Sequence, residues 1–305
     1  MDTVKEMIAL AESLGCVAKE NESMSFHTTF KIGGKAKLFI RVNSKENFRA
    51  LLLKANELGL RTIIIGNGSN MLVTDDEIDA VFFQLSGGEF DDIELIDETT
   101  IRCGAGVSLI KLCRFALDNS LSGLEFAYGI PACVGGAIFM NSGAYEGEMK
   151  NVVVSVSHLT PDGKFVTFDA DKLAFSYRNS IYKSNGCYVT DVIIKLSKSN
   201  KEEINAKMED FMSRRRDKQP LEYPSAGSVF KRPNIPNCYA GALIEQCGLK
   251  GKTIGGAQVS QKHAGFIINI GGATCRDVLD LIEFTKSTVL KEKGIELEPE
   301  ILMIK

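Results

Sequence analysis

The sequence predicts an α+β fold made of three successive units, and three observations carry that prediction. Runs of β-branched residues alternate with helical periodicities, and neither class repeats alone. The chain has 305 residues, 44% of them hydrophobic and 25% charged, a balance that buries a core and a length beyond one average domain. Between Glu125 and Glu146 runs a long stretch without charge. Gly129, Pro131, Gly135, Gly136 and Gly143 interrupt it, so it is no membrane helix and needs another purpose.

The first unit is expected over residues 1–86. Residues 1–15 place Asp2, Glu6 and Glu12 among apolar residues, which is an amphipathic helix and not a signal peptide. A strand over 38–42 follows. Ser44 then suits an N-cap, with Asn47 where a capping box would have Glu. Phe48, Leu51, Leu52, Ala55 and Leu58 recur at helical spacing. A buried strand over 61–65, a Gly/Asn/Ser loop, the short run 71–73 and a strand over 80–85 complete a βαββ arrangement. The second unit, 87–199, has strands near Ile93 and Ile101, a helix over 108–119, the uncharged run, and strands over 152–159 and 188–196. The third, 200–305, has a polar helix over 201–218 and a loop with four prolines. It closes with a helix over 240–247, a strand over 266–270, a helix over 275–293 and a final strand over 295–304.

Charge and cysteine usage exclude several functions. The formal net charge is −3 and the pI is about 5.8, whereas a dedicated nucleic-acid binder is basic. No two of the 8 cysteines are spaced C-x-x-C, and there are only 3 histidines, so no metal site is expected. Cysteines scattered in apolar runs read as reduced, buried thiols of a cytoplasmic protein.

Five stretches carry chemistry. Ile65-Gly66-Asn67-Gly68-Ser69-Asn70-Met71 runs from a strand into a loop of small residues. Successive N–H groups in such a loop can converge on an anion such as a pyrophosphate. It lacks the Gly-Lys-Ser/Thr of a P-loop and the third glycine of a dinucleotide fingerprint, and a tight inter-strand turn is the alternative. The second stretch holds Gly129, Ile130, Pro131, Cys133, Gly135, Gly136, Ala137, Asn141, Gly143 and Ala144. It offers bare backbone to a flat or anionic ligand, or else a helix packed tightly through its glycine pair. The third is Tyr177-Arg178, whose guanidinium is a planar fork for a carboxylate unless it is an ordinary surface arginine. The fourth, 223–231, presents Ser228 on a proline-led turn with Lys231 beyond. In the last, strand alternation puts Glu298 and Glu300 on one face, opposite Leu297 and Ile301. Gln258, His263 and the run Arg214–Arg216 are further polar candidates.

In this order, the five stretches resemble the UDP-N-acetylenolpyruvoylglucosamine reductases, the MurB family, in its shorter type II form, from about Thr28 to the end of the chain. The resemblance implies a two-part FAD-binding region of the vanillyl-alcohol-oxidase (PCMH) type and a C-terminal α+β substrate-binding domain. It implies noncovalent FAD held by residues 65–71 and by the second stretch, with NADPH as hydride donor. In that family the hydride passes to C3 of an enolpyruvyl group while charge builds at C2. By the match of motifs, Arg178 holds the substrate carboxylate, Ser228 delivers the proton to C2, and Glu300 is the third catalytic position, with Glu298 as its close competitor. Tyr177, Lys231, Gln258 and His263 become substrate contacts, Lys231 toward a UDP pyrophosphate. The implied partner is a UDP-sugar, with no nucleic acid and no membrane insertion, and the protein is a cytoplasmic monomer serving peptidoglycan synthesis. The family has Gly-Ser/Thr where this chain has Ala132-Cys133, a bulkier and weaker contact. A flavin oxidase of the same fold acting on another substrate and a flavin- or nucleotide-binding regulatory module without turnover are the alternatives.

Overall fold

The computed structural model describes residues 3–145 and 147–305. Met1 and Asp2 of the expected first helix, and Glu146 at the end of the uncharged run, lie outside the described residues. The chain divides into two compact units. The first comprises Met1–Asn21, Lys37–Asn67 and Asp79–Arg214, and the second comprises Glu22–Ala36, Gly68–Ile78 and Arg215–Lys305.

The first unit holds two larger sheets, of four and five strands. One has the order Val17–Ser23, Lys35–Val42, Ile78–Leu85, Thr62–Ile65. Its last pair is parallel, Ile63 opposite Phe82. Helix α1 (Thr3–Ser13) packs on α2 (Lys45–Glu57). Ser44 caps α2 by accepting from Asn47 N–H at 3.2 Å, as its residue type predicts. Asn47 is not a capping-box partner, because its side chain donates instead to Leu14 O and to Asn43 Oδ1, each at 3.0 Å. The second sheet has the order Phe165–Asp169, Val153–Leu159, Tyr188–Lys195, Thr100–Gly104, Ile93–Leu95 and is antiparallel throughout. Helix α3 (Leu109–Asp118) starts at Ser108, whose Oγ accepts from Lys111 N–H. The apolar stripe of α2 and the inner residues of both sheets join one core, in which Phe48 meets Phe83 and Tyr188 edge-on, each with ring centroids 5.5 Å apart.

Helix α4 (Val134–Met140) rises inside the uncharged run. It begins at Cys133 and ends at Asn141, which takes a left-handed conformation with φ 43°. A short pairing of Gly143–Ala144 with Gly147–Glu148 follows. Helix α5 (Lys201–Lys218) starts where Asn200 accepts from the N–H groups of Glu202 and Glu203.

The second unit has a sheet of order Ser225–Ser228, Phe266–Asn269, Ala257–Val259, Thr253–Ile254, with α6 (Ala240–Gln246) and α7 (Cys275–Lys293). Thr274 and Asp277 form a capping box at the start of α7, and Gly294 ends it at φ 66°. Asp75 accepts from Cys275 N–H at 2.9 Å and Arg276 N–H at 3.3 Å, a second cap sent from two hundred residues away.

Three expectations are corrected by the structure. The run Ser225–Ser228, expected in a proline-led loop, is a strand paired with Phe266–Asn269, so Ser228 stands at a strand end. The run Met71–Val73 does not belong to the first sheet: it pairs in parallel with Leu302–Ile304, Leu72 opposite Met303. The final strand is only Leu302–Ile304, not 295–304. Pro299 offers no N–H to a ladder, so the residues around it make only an isolated bridge to Phe230.

Candidate active site

In the second unit, the loop Gly68–Asn70 has its peptide N–H groups without an acceptor among the described residues. Gly68 is obligatory twice over. Its φ is 60°, and a β-carbon there would run into His27 O. Thr29 clamps the loop: its N–H donates to Gly68 O at 3.2 Å and its hydroxyl to Ser225 O at 2.7 Å. Asn70 ties the loop to the end of the chain, its Nδ2 donating to Glu300 O at 3.3 Å and its carbonyl accepting from Leu302 N–H at 2.9 Å. The segment around Glu300 then reaches the one that carries Ser228. Glu300 N–H donates to Val229 O at 2.7 Å, and Lys231 N–H to Glu298 O at 2.8 Å. The donor-rich loop, Ser228 and Glu300 are thus carried by backbone segments bonded to one another.

Among the described residues Ser228 Oγ makes only a long bond, 3.4 Å, to Phe230 O, so its hydroxyl is held loosely. Gly265 lies between it and His263: a β-carbon there would sit 3.4 Å from Ser228 Oγ and 3.0 Å from the imidazole. His263 accepts from Gly265 N–H on Nδ1 at 3.1 Å, which leaves the proton of its neutral form on Nε2. Burial pushes the pKa of His263 below its ordinary value. Lys231 is engaged by Glu298, whose carboxylate is mostly in solvent. Gln258 is not brought to this group of residues, since its side chain donates to Thr253 Oγ1 at 3.0 Å on the next strand.

The first unit holds the remaining candidates. Ile65 is buried at the end of its strand. A β-carbon on Gly66 would overlap Cys133 Sγ, and Asn67 donates to Pro131 O at 3.4 Å. Residues 65–67 are thereby seated on the start of the second stretch. Helix packing is what forms at 134–140. Val134 N–H and Gly135 N–H donate to Val107 O and Ala105 O, each at 2.8 Å, and Gly135 comes against Ala105. These N–H groups are spent within the protein. What stays accessible is a strip of small and apolar residues, Gly129–Ala132 with Gly135 and Gly136, suited to a flat ring. Burial, the larger effect, raises the Cys133 thiol, while nearby backbone N–H groups of Gly136 and Asn67 pull it down. It is therefore a neutral, buried thiol at neutral pH.

Arg178 sits at the corner of a two-residue turn closed by Ser176 and Asn179, which exchange N–H···O bonds of 3.1 Å. Its φ is 52°, a position that glycine or asparagine ordinarily takes and that costs a side chain about 1 kcal/mol. Asn141 and Tyr145 (φ 49°) are left-handed as well. Strain of this kind gathers at functional sites. The guanidinium lies 5.0 Å from the ring centroid of exposed Tyr177 and donates to Gly143 O at 3.1 Å. Asn141, an expected cofactor contact, is wholly buried, and both its amide N–H bonds go to the protein. Thr29 and Gly265 were not among the sequence candidates. No local pattern marks them, because each matters through a partner distant in the chain or across a strand.

The chain matches the model of the UDP-N-acetylenolpyruvoylglucosamine reductase C-terminal domain over residues 219–304, and an FAD binding domain over residues 36–169. It is 44% identical over 286 residues to the UDP-N-acetylenolpyruvoylglucosamine reductase of Syntrophomonas wolfei, covering 94% of each chain. The crystal structure of the reductase MurB from Thermus caldophilus superposes with a TM-score of 0.81 at 35% identity, over 95% of this chain and 99% of that one. BBE-like 1 of Physcomitrella patens shares the fold alone, with a TM-score of 0.50 at 15% identity over 64% of this chain and 44% of its own. The α+β class with a two-part FAD-binding region and a C-terminal domain therefore holds.

Proposed function

The chain belongs to the UDP-N-acetylenolpyruvoylglucosamine reductase family of flavin-dependent oxidoreductases, and from that premise we propose that it reduces UDP-N-acetylglucosamine enolpyruvate to UDP-N-acetylmuramate for peptidoglycan synthesis. Bound FAD supplies hydride transfer, with NADPH as the source and C3 of the enolpyruvyl group as the destination. The N–H groups of Gly68, Ser69 and Asn70 would hold the cofactor pyrophosphate, and the strip Gly129–Ala132 would offer its flat part a surface of small residues. Arg178 grips the substrate carboxylate with its fork and stabilises the charge that develops at C2. Ser228 gives its proton to C2, which is basic enough in the enolate-like state to take it from a hydroxyl. Glu300 is the third catalytic group. Tyr177, Lys231 and His263 contact the UDP-sugar, and Lys231 exchanges Glu298 for a substrate phosphate. The function divides the chain at 1–86, 87–199 and 200–305, and the protein works as a cytoplasmic monomer. Among the described residues, no helix is long and apolar enough to cross a membrane.

The observation that most supports this reading is the bonding, within the second unit, of the donor-rich loop to the segments that carry Ser228 and Glu300. The test is a visible spectrum taken anaerobically during addition of NADPH and then of the enolpyruvyl substrate. Flavin bands should bleach with NADPH and return with the substrate. Bands that return only with oxygen would instead show an oxidase. Absence of flavin after adding FAD would remove both enzymes.

A further inference from the structure

We propose that Asn141 is a positioning residue for Arg178, and that its side chain serves the arginine turn and not the cofactor. Three bonds lace the end of α4 to that turn. Ser180 Oγ donates to Phe139 O at 2.8 Å, Asn141 Nδ2 donates to Ser176 O at 3.0 Å, and Arg178 Nη2 donates to Gly143 O at 3.1 Å. Residues 139, 141 and 143 thus grip residues 180, 176 and 178. Asn141 is the central rung and the only one that holds the base of the turn, where Ser176 and Asn179 close it.

The amide is itself fixed. Its second N–H donates to Glu148 Oε2 at 2.7 Å, and its Oδ1 accepts from Lys150 N–H at 2.9 Å. The residue is fully buried, so no water competes for these bonds. Both donors are used, which leaves none for a flavin. The backbone of Asn141 is left-handed, a conformation asparagine tolerates better than other side chains. One residue therefore ends α4 and fixes a turn whose corner, Arg178, is itself left-handed. A turn with a bulky residue in that corner relaxes readily unless its surroundings hold it. The effect reaches the substrate carboxylate only through Arg178.

The inference rests on the reductase reading for its kinetic arm. Asn141→Gly keeps the left-handed backbone and removes the amide. Asn141→Asp keeps the shape and the Lys150 bond, and serves if the glycine variant does not fold. Each variant should bind FAD with the wild-type spectrum and be bleached by NADPH at close to the wild-type rate. Reoxidation by the enolpyruvyl substrate should slow by about 100-fold, the size of effect a small misplacement produces. In an Arg178→Ala background the same change should cost less than about twofold, because residues acting as one unit are not additive. Independently, nitrogen-15 relaxation of the Arg178 Nε–Hε group should show an ordered side chain in the wild type and a mobile one in the variants. Unchanged Arg178 order, or a further slowing of Arg178→Ala by the full factor, would overturn the proposal. If the wild-type protein fails to reduce the substrate, the reductase reading falls, and the relaxation measurement still decides the role of Asn141.

Discussion

Ser228 and Glu300 are held by neighbouring backbone segments, whereas Glu298 reaches outward to Lys231. An exposed ion pair of that kind contributes about 1 kcal/mol or less. Ser228→Ala should keep flavin reduction by NADPH and slow substrate reduction by about 100-fold or more in stopped-flow measurements. Glu300→Gln should behave similarly, and Glu298→Gln should remain near wild type. The reverse order for the two glutamates would assign the catalytic carboxylate to Glu298. Single residues also set the thiol chemistry. Cys16, Cys103, Cys113, Cys133 and Cys275 are buried, while Cys187, Cys238 and Cys247 are partly exposed. Burial pushes the Cys103 thiol up to about 12 and Cys275 up to about 11. A thiol-exchange reagent at neutral pH should titrate only the three partly exposed thiols rapidly, and the other five only on unfolding. Rapid labelling of Cys133 would contradict the packing of Gly66 against its sulfur.

At the scale of elements, the starts of all helices but α4 were legible in the chain. Ser44, Ser108 and Thr274 all cap as their residue types suggest, because capping uses groups three residues apart. The loop after the strand Thr62–Ile65 was legible too, from its glycines. Gly68→Ala should deform that loop, since its β-carbon meets His27 O at a left-handed φ. The purified variant should carry much less FAD while keeping its circular dichroism spectrum. Full FAD content would show that the loop does not hold the cofactor. The alternatives left open at 129–144 are now divided between two parts of that stretch. Its first residues stay accessible, and its middle is a helix that spends its own N–H groups. Composition does not distinguish these, because small residues suit both a ligand face and close helix packing.

At the scale of the molecule, the first unit buries a histidine. His158 has no exposed surface, sits 4.5 Å from the Phe168 ring centroid and bonds Tyr182 OH through Nδ1 at 3.1 Å. Its Nε2 has no partner among the described residues. Burial lowers its pKa below the ordinary 6.5. The unfolded chain therefore takes up a proton before the folded one does. The stability from this site is complete above about pH 6.5 and falls as pH drops below it toward the folded value. His263 acts with the same sign. Urea midpoints should fall between pH 7.5 and 5.5, and His158→Phe should flatten that slope even if it lowers the midpoint at pH 7.5. An unchanged slope would remove His158 as its source.

The sequence by itself determined every helix but α4, about half of the strands, the small-residue loop after Thr62–Ile65, and the motif order that marks the reductase family. These depend on residues near one another in the chain, where periodicity, caps and glycines act directly. Only the tertiary structure decided that Met71–Val73 joins Leu302–Ile304, that Asp75 caps α7, that Thr29 clamps the loop, and that Asn141 faces the arginine turn. Each is a contact across tens to hundreds of residues, specified by the packing of whole elements and by the need of every buried polar group for a partner. No window of sequence contains both halves of such a contact.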